Sequence, residues 1–158
     1  MSIQTGDKIP SITVKTMGES GPTDISTDEI FAGKKVVLFA VPGAFTPTCS
    51  NAHVPGFVVN ADELKAKGVD TIVCMSVNDA FVMSAWGQAQ NAENLLMLAD
   101  GNGELTAALD LVLDASGFGM GSRSKRFALI ANDGVVEYIG VDAGAMEASS
   151  AEAVLAAL

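Results

Sequence analysis

The sequence predicts an α/β fold in which helices flank a central, mixed β-sheet. Short apolar segments alternate with segments of helical character from residue 34 onward, the pattern of strand–helix–strand units with parallel strands. Near the C-terminal end, "NDG" separates two further apolar segments, which predicts a hairpin and an antiparallel edge. Because the 158 residues show no repeat, linker or low-complexity tract, residues 1–158 are expected to form one domain.

Each predicted element follows from a local pattern. Residues 1–33 are rich in turns around short extended pieces such as "SITVKT", which predicts an N-terminal hairpin or cap. Continuously apolar segments predict strands, amphipathic ones helices, and the glycine-rich stretch "ASGFGMGS" at 115–122 predicts a loop. A closing helix begins near Ser149 or Ser150, either of which can cap it. The predicted strands are 34–41, 70–77, 94–100, 126–131 and 135–141, and the other helices are 49–67, 80–91 and 103–110.

The composition excludes several classes of function. Nine basic and 19 acidic residues give a net charge of −10, and such a surface repels nucleic acids and anionic membranes. No apolar stretch approaches the roughly 20 residues that a membrane span needs, and "MSIQTGDKIP" has no pattern of a targeting signal. Two cysteines do not make a secreted disulfide framework. We therefore expect a cytoplasmic protein with reduced thiols.

The stretch "VPGAFTPTCS" at 41–50 contains the candidate nucleophile, Cys49. A free cysteine has a pKa near ~8.5, and only its thiolate is a good nucleophile. Pro42 and Pro47 end the preceding strand, Gly43 permits a sharp turn, and the next helix is expected to begin near Thr48 or Cys49. The helix N-terminus favours an anion, so the segment indicates a reactive thiol, with a small buried hydrophobic residue as the alternative.

The longer segment "PGAFTPTCSNAHVPGF" resembles the active-site segment of the peroxiredoxins, whose signature is P-x-x-x-T-x-x-C. Pro42, Thr46 and Cys49 satisfy the signature. Two further blocks, "KAKGVDTIVCMSVNDAFVMSAW" and "SKRFALIANDG", are similar to the type V branch of that family, called type II in plants. The resemblance covers essentially the whole chain after the first few residues.

The resemblance implies a thioredoxin-like fold with an N-terminal β-hairpin extension, and an antioxidant thiol peroxidase that reduces hydrogen peroxide and organic hydroperoxides. Cys49 would be the peroxidatic cysteine and would leave the reaction as a sulfenic acid. Thr46 would hydrogen-bond the sulfur and the incoming peroxide, and Pro42 would shield the sulfur from solvent. Arg126 would stabilise the thiolate and polarise the peroxide. From the residues alone, Arg126 is better explained as part of a solvated basic cluster with Arg123 and Lys125, and only the resemblance favours the catalytic role.

The second cysteine, Cys74, lies inside the apolar segment "TIVCMSV" and is expected to be a buried, non-essential core residue. Some type V members resolve the sulfenic acid with a cysteine near the C-terminus, but residues 75–158 contain none. The expectation is a 1-Cys mechanism with no resolving cysteine, no bound cofactor and an external thiol reductant. The candidate reductants are glutathione with glutaredoxin, or thioredoxin.

His53 is the only histidine, four residues after Cys49. No further Cys or His completes a zinc set, so no metal site is predicted, and His53 is expected to help place the active-site turn together with Gly43. Phe81 and Trp86 are explained most simply as core residues. Because family members commonly dimerise near the active-site loop, both are also candidates, with Phe45, for a homodimer contact or a substrate pocket.

Two functions of different class remain open. The first is a peroxidase that serves redox homeostasis. The second is a thioredoxin-fold redox sensor or holdase chaperone without significant peroxide turnover. A dithiol disulfide reductase is a weaker third hypothesis, because the chain contains no C-x-x-C motif.

Overall fold

The computed structural model describes residues 2–158, and within them the chain forms nine strands and six α-helices. The strands are β1 (Thr13–Gly18), β2 (Gly21–Ser26), β3 (Lys35–Ala40), β4 (Thr71–Ser76), β5 (Leu96–Ala99), β6 (Val112–Asp114), β7 (Ser122–Ser124), β8 (Arg126–Asn132) and β9 (Val135–Asp142). The helices are α1 (Thr27–Phe31), α2 (Val54–Val59), α3 (Ala61–Ala66), α4 (Ala80–Ala89), α5 (Glu104–Ala108) and α6 (Ala151–Ala157). A π-helical segment, Cys49–His53, precedes α2.

Seven strands form one mixed sheet in the order β2-β1-β5-β4-β3-β8-β9. The central strands β3, β4 and β5 run parallel, while β1, β2, β8 and β9 join by antiparallel pairs. The predicted mixed sheet is confirmed. The N-terminal hairpin β1–β2 extends the sheet on one side, and the β8–β9 hairpin turns at Asp133 and Gly134, both with positive φ, as a two-residue hairpin loop of this sequence requires.

Side chains of β3 alternate between two hydrophobic layers, which is why the strand is apolar at every position. Val37 and Phe39 face the core under α2, α3, α4 and α6, whereas Val36 and Leu38 face the core under α1 and α5. The sheet is therefore covered on both faces. No helix in the described part of the chain is long and apolar enough to cross a membrane.

Three predictions of local structure were incomplete. The helix expected over 49–67 is divided into the π-helical segment, α2 and α3, with a break at Asn60. The glycine-rich stretch contains a 3₁₀ turn, Ser116–Phe118, and is closed by the short β6–β7 hairpin. Helix α1 was missed, although Ser26 caps it by accepting a hydrogen bond from the Glu29 N–H at 3.1 Å. The capping-box sequence "STDE" was the signal that could have found it.

Candidate active site

The end of β3 and the start of β8 lie side by side and bring the candidate residues together. Ala40 pairs with Phe127 in the antiparallel β3–β8 ladder, so the loop after β3 begins beside Arg126, the first residue of β8. That loop leads into the π-helical segment, whose first residue is Cys49. Residues separated by more than 70 positions in sequence thus meet at one end of the sheet.

Cys49 is fully buried, with 0% of its surface exposed, and a guanidinium contacts its sulfur. Arg126 Nη2 donates to Cys49 Sγ at 3.1 Å. A thiolate is a much stronger acceptor for such a donor than a neutral thiol. The half-buried Arg126 is therefore directed into the site, while its neighbour Lys125 is exposed, so the alternative of a solvated basic cluster does not describe Arg126.

His53 lies beside Arg126 and is buried, with 1% exposure. Its Nε2 is 2.8 Å from the Ser149 carbonyl oxygen, and its Nδ1 is 2.8 Å from Arg126 Nη1. Because a carbonyl only accepts and a guanidinium only donates, the ring must carry its proton on Nε2 and accept at Nδ1. Arg126 thus donates with one nitrogen to His53 and with the other to Cys49.

The imidazole of His53 is held in its neutral form. Burial lowers the pKa of His53 from 6.5 to about 4, and the charge of Arg126 acts in the same direction. The hydrogen bond to the Ser149 carbonyl and the charge of Asp142 oppose this shift. A group with a pKa near 4 is uncharged at neutral pH. The site therefore contains one guanidinium charge beside the sulfur, and the histidine adds none.

The loop before Cys49 departs from the expected geometry at two positions. The sharp turn is made by Phe45, whose φ is 63°, rather than by Gly43. Space at Gly43 is tight, because a Cβ there would stand 3.0–3.1 Å from the side chains of Met120, Arg123 and Thr46. The Thr46 hydroxyl donates to the Gly43 carbonyl at 2.6 Å, so its single proton is engaged within the loop and its oxygen is left to act as an acceptor.

Pro42 is half-buried at the start of the same loop, and its carbonyl faces Arg123. Arg123 Nη1 lies 3.5 Å from the Pro42 oxygen, and Arg123 Nε donates to the Met120 carbonyl at 3.0 Å. On the other side, the Ala44 N–H donates to Asn78 Oδ1 at 3.0 Å. The glycine-rich loop and Asn78, two residues before α4, thus both contact the active-site loop.

The three aromatic candidates divide between surface and core. Phe45 is 56% exposed and Phe81 is 66% exposed, so the expectation that Phe81 belongs to the core is wrong; it lies on the outer face of α4. Trp86 is fully buried, as expected of a core residue, and its Nε1–H donates to Ser50 Oγ at 3.0 Å. This burial contradicts Trp86 as a direct pocket or dimer contact; its ring belongs to a core cluster and lies 6.4 Å from the ring of Phe45, centroid to centroid.

Cys74 is fully buried in the middle of β4. Burial raises the pKa of the Cys74 thiol well above its usual value, and the nearby Cys49 acts in the same direction. Both cysteines are free thiols. Among the described residues, no group of three or more His, Cys, Asp or Glu side chains is placed to hold a metal ion.

Sequence reasoning missed Ser149 and Asp142, which complete the site from the C-terminal side. The Ser149 carbonyl accepts from His53, and Asp142 accepts from the Ser149 N–H and hydroxyl at 2.9 and 2.5 Å. Neither residue belongs to a motif near Cys49. Only the tertiary fold brings them there, so the sequence carried no signal for them.

Comparisons with known proteins match nearly the whole chain. Residues 4–155 match the sequence profile of the family described as Redoxin. The chain is 49% identical to Peroxiredoxin-2D of Arabidopsis thaliana, over 99% of this chain and 98% of the relative, and 50% identical to the chloroplastic Peroxiredoxin-2E-2 of Oryza sativa subsp. japonica, over 99% and 73%. A crystal structure of reduced Prx3 from Vibrio vulnificus in complex with hydrogen peroxide superposes with a TM-score of 0.95, 56% identity and 98% coverage of both chains.

Proposed function

The chain belongs to the peroxiredoxins of the Redoxin family, thiol-dependent peroxidases with a thioredoxin-like fold, and from that premise we propose that it is a 1-Cys-type enzyme of the type V branch. It reduces hydrogen peroxide and organic hydroperoxides at Cys49 and draws its electrons from an external thiol. The observation that supports this proposal most directly is the 3.1 Å contact between Arg126 Nη2 and Cys49 Sγ, which provides a fixed positive charge and a donor at the reacting sulfur.

The proposed reaction begins when the Cys49 thiolate attacks one peroxide oxygen in line with the O–O bond. An S–O bond forms as the O–O bond breaks, so sulfur is oxidised to sulfenic acid and the peroxide is reduced. The departing oxygen takes up a proton and leaves as water or an alcohol. A reductant thiol then forms a mixed disulfide with Cys49 and releases water, and a second thiol frees Cys49 and leaves as the oxidised disulfide.

Arg126, Thr46 and Pro42 position the peroxide in this proposal. The guanidinium of Arg126 stabilises the thiolate and the negative charge that develops on the peroxide, and it cannot lose its own charge at working pH. The Thr46 hydroxyl already donates to the Gly43 carbonyl, so its oxygen accepts the peroxide O–H. Pro42 covers the site and limits further oxidation of the sulfur by excluding water and a second peroxide.

An external reductant follows from the position of Cys74. Its thiol is in the middle of a central strand, its pKa is raised by burial, and no cysteine follows it in the sequence. Glutathione with glutaredoxin, or thioredoxin, is therefore the proposed donor, in a cytoplasm whose thiols are reduced. Because Cys49 is fully buried, the loop before it must open for the donor to reach the sulfenic acid.

The test is a stopped-flow measurement of Cys49 oxidation by stoichiometric hydrogen peroxide, followed by steady-state turnover with each reductant system. We expect a rapid reaction, turnover with at least one system, and complete loss of both in Cys49→Ser. Cys49 that is oxidised but not recycled by either system would indicate a redox sensor. Chaperone activity that survives in Cys49→Ser, without peroxide turnover, would indicate a holdase.

We further propose that the chain forms a homodimer through the surface around the active-site loop. Phe45, Phe81 and Phe118 are 56%, 66% and 86% exposed, and they lie on three segments that support one another. The Ala44 N–H bonds Asn78, next to α4, and the glycine-rich loop packs against Gly43. Several exposed aromatic residues in one region mark an interaction surface.

Sedimentation analysis of Phe81→Asp tests the dimer. The substitution is expected to shift the protein toward monomer, because it buries an unpaired charge in the interface. Val59→Asp is the matched control, since Val59 is 81% exposed on α2, outside the three segments. Equal sedimentation of both variants and the wild type would contradict this interface.

A further inference from the structure

A chain of hydrogen bonds leads from Cys49 to a carboxylate at the end of β9. Arg126 joins Cys49 to His53, and the His53 Nε2–H donates to the Ser149 carbonyl at 2.8 Å. The Ser149 N–H donates to Asp142 at 2.9 Å. His53 therefore helps to position the guanidinium of Arg126, and the loop 143–150 helps to position His53.

The loop that presents the Ser149 carbonyl is tightly fixed. Asp142 accepts the N–H groups of Glu147, Ala148 and Ser149 at 2.9–3.0 Å. These bonds hold the pKa of the Asp142 carboxyl below its usual value, against the opposing effect of burial. The Tyr138 hydroxyl donates to the Ala148 carbonyl at 2.6 Å. The loop thus offers its carbonyl to His53 from a defined place.

A neutral acceptor suits the guanidinium of Arg126. An arginine side chain loses considerable rotamer freedom when it is held in one position, and a fixed acceptor on one nitrogen favours that position. A carboxylate would serve the same purpose but would cancel the charge that the sulfur uses. His53 Nδ1 accepts from Arg126 without adding a negative charge, because the proton of the ring is committed to Ser149.

We propose that His53 is a positioning residue for peroxide reduction: it aims the Arg126 guanidinium at Cys49, and Asp142 supports it by fixing the loop that bonds its other ring nitrogen. The proposal rests on the peroxidase function proposed above. It assigns the loop 143–150 an effect on the rate of Cys49 oxidation that is transmitted through His53 and Arg126.

Two substitutions at His53 separate positioning from packing. In His53→Asn, Oδ1 stands the same number of bonds from Cβ as Nδ1 of the ring and can accept from Arg126. His53→Leu has no polar side-chain atom, so the acceptor for Arg126 and the donor to Ser149 are both lost. Both variants remove the ring from its contacts with Phe39 and Phe57, so the loss of packing is common to both.

The measured quantity is the second-order rate constant for Cys49 oxidation by hydrogen peroxide at neutral pH. We expect His53→Leu to be slower than wild type by about tenfold or more, since a hydrogen bond to a charged group contributes on the order of ten- to a hundredfold. His53→Asn is expected to remain within about threefold of wild type, because the acceptor is retained. Equal rate constants for the two variants, fast or slow, would overturn the proposal.

Asp142→Asn tests the same relation from outside the core. We expect this substitution to lower the rate constant about twofold to threefold, no more than His53→Asn, and to have almost no further effect in a His53→Leu background, because residues acting through one network are not additive. Asp70→Asn is the control: Asp70 also accepts a backbone N–H, from Lys35 at 2.9 Å, and it is exposed whereas Asp142 is half-buried. Equal rate constants for Asp142→Asn and Asp70→Asn, or fully additive losses in the double variant, would refute the role of the loop.

These outcomes are distinct from a failure of the proposed function. A wild-type protein whose Cys49 does not react with peroxide would refute the peroxidase and this inference with it. A reactive wild type whose His53 variants do not differ would refute the positioning role alone.

Discussion

At the scale of single residues, the site uses very few positive charges in a strongly acidic protein. The net charge of the chain is −10, and its only two arginines are Arg123 and Arg126, both in contact with the active-site segment. A peroxide is neutral, so these charges do not attract the substrate. In the proposed reaction, Arg126 acts on the sulfur and on the departing oxygen, where negative charge is present or develops, whereas Arg123 contacts the carbonyls of Pro42 and Met120.

Replacing Arg126 should therefore slow the first chemical step. Arg126→Ala is expected to lower the rate constant for Cys49 oxidation about 100-fold or more, the usual effect of removing one donor from a charge-stabilising site. Arg126→Lys should recover only part of this loss, because a single ammonium lacks the fork that reaches Cys49 and His53 together. Lys125→Ala, at an exposed neighbour, should react like wild type; a loss there equal to that of Arg126→Ala would argue for general electrostatics.

Cys74 is the residue where a chemical role and a packing role are most easily separated. Cys74→Ala is expected to retain most of the peroxidase turnover with the external reductant, because the thiol is enclosed in the core and its pKa is raised. Alanine is preferable to serine, since a buried hydroxyl without a partner costs about 1–3 kcal/mol. Turnover with glutathione–glutaredoxin and with thioredoxin checks the prediction. Loss of turnover in a folded Cys74→Ala protein would show that Cys74 resolves the sulfenic acid.

At the scale of elements, the important departure from expectation is the π-helical segment at Cys49. The Val54 N–H bonds the Cys49 carbonyl, five residues back, and Pro55 follows directly. Proline has no N–H, and its ring excludes the carbonyl four residues earlier, so the turn before it is widened. The widened turn directs both Cys49 and His53 toward Arg126. Sequence reasoning placed Pro55 inside a helix but could not predict how the turn would adjust.

Pro55→Ala is expected to narrow this turn. The new N–H can bond the Asn51 carbonyl in the α-helical manner, which rotates Cys49 relative to Arg126. The rate constant for oxidation by peroxide should then fall several-fold. Pro22→Ala, on the exposed edge strand β2, controls for the greater freedom of the unfolded chain. A Pro55→Ala protein that reacts as fast as Pro22→Ala would show that the widened turn is not required.

Long apolar elements could be predicted from the sequence, whereas the short ones could not. Strands β3, β4 and β8 are buried on both faces, so their apolar runs coincide with the elements. The three-residue strands β6 and β7 are too short to show alternation. Helix α1 has five residues, and only its capping sequence marks it. These short elements depend on tertiary contacts, which a local pattern does not contain.

At the scale of the whole molecule, the site exists because the antiparallel β3–β8 pair joins two distant parts of the chain. The resemblance to a family identified Cys49, Thr46 and Arg126 as candidates, and the register Ala40–Phe127 explains why Arg126 lies near the sulfur. The contribution of Ser149 and Asp142 could not be predicted, since their contacts with the site depend on how the last loop returns across the sheet. The arrangement of the site is therefore coupled to folding, because the contacts that hold His53 in place exist only in the folded chain.

This coupling predicts that the protein loses stability in mild acid through His53. The pKa of His53 is lowered from 6.5 to about 4, so the unfolded chain binds a proton between these values and the folded chain does not. The free energy of unfolding should thus decrease as pH falls from 6.5 to 4, by a total on the order of 3 kcal/mol. Denaturant unfolding of wild type and His53→Gln at several pH values isolates this contribution, because only the wild type has a histidine at this position. The titration of Asp142, whose pKa is lowered, occurs at lower pH and is common to both proteins. Parallel pH profiles for the two proteins above pH 4 would show that His53 is not buried as a neutral ring.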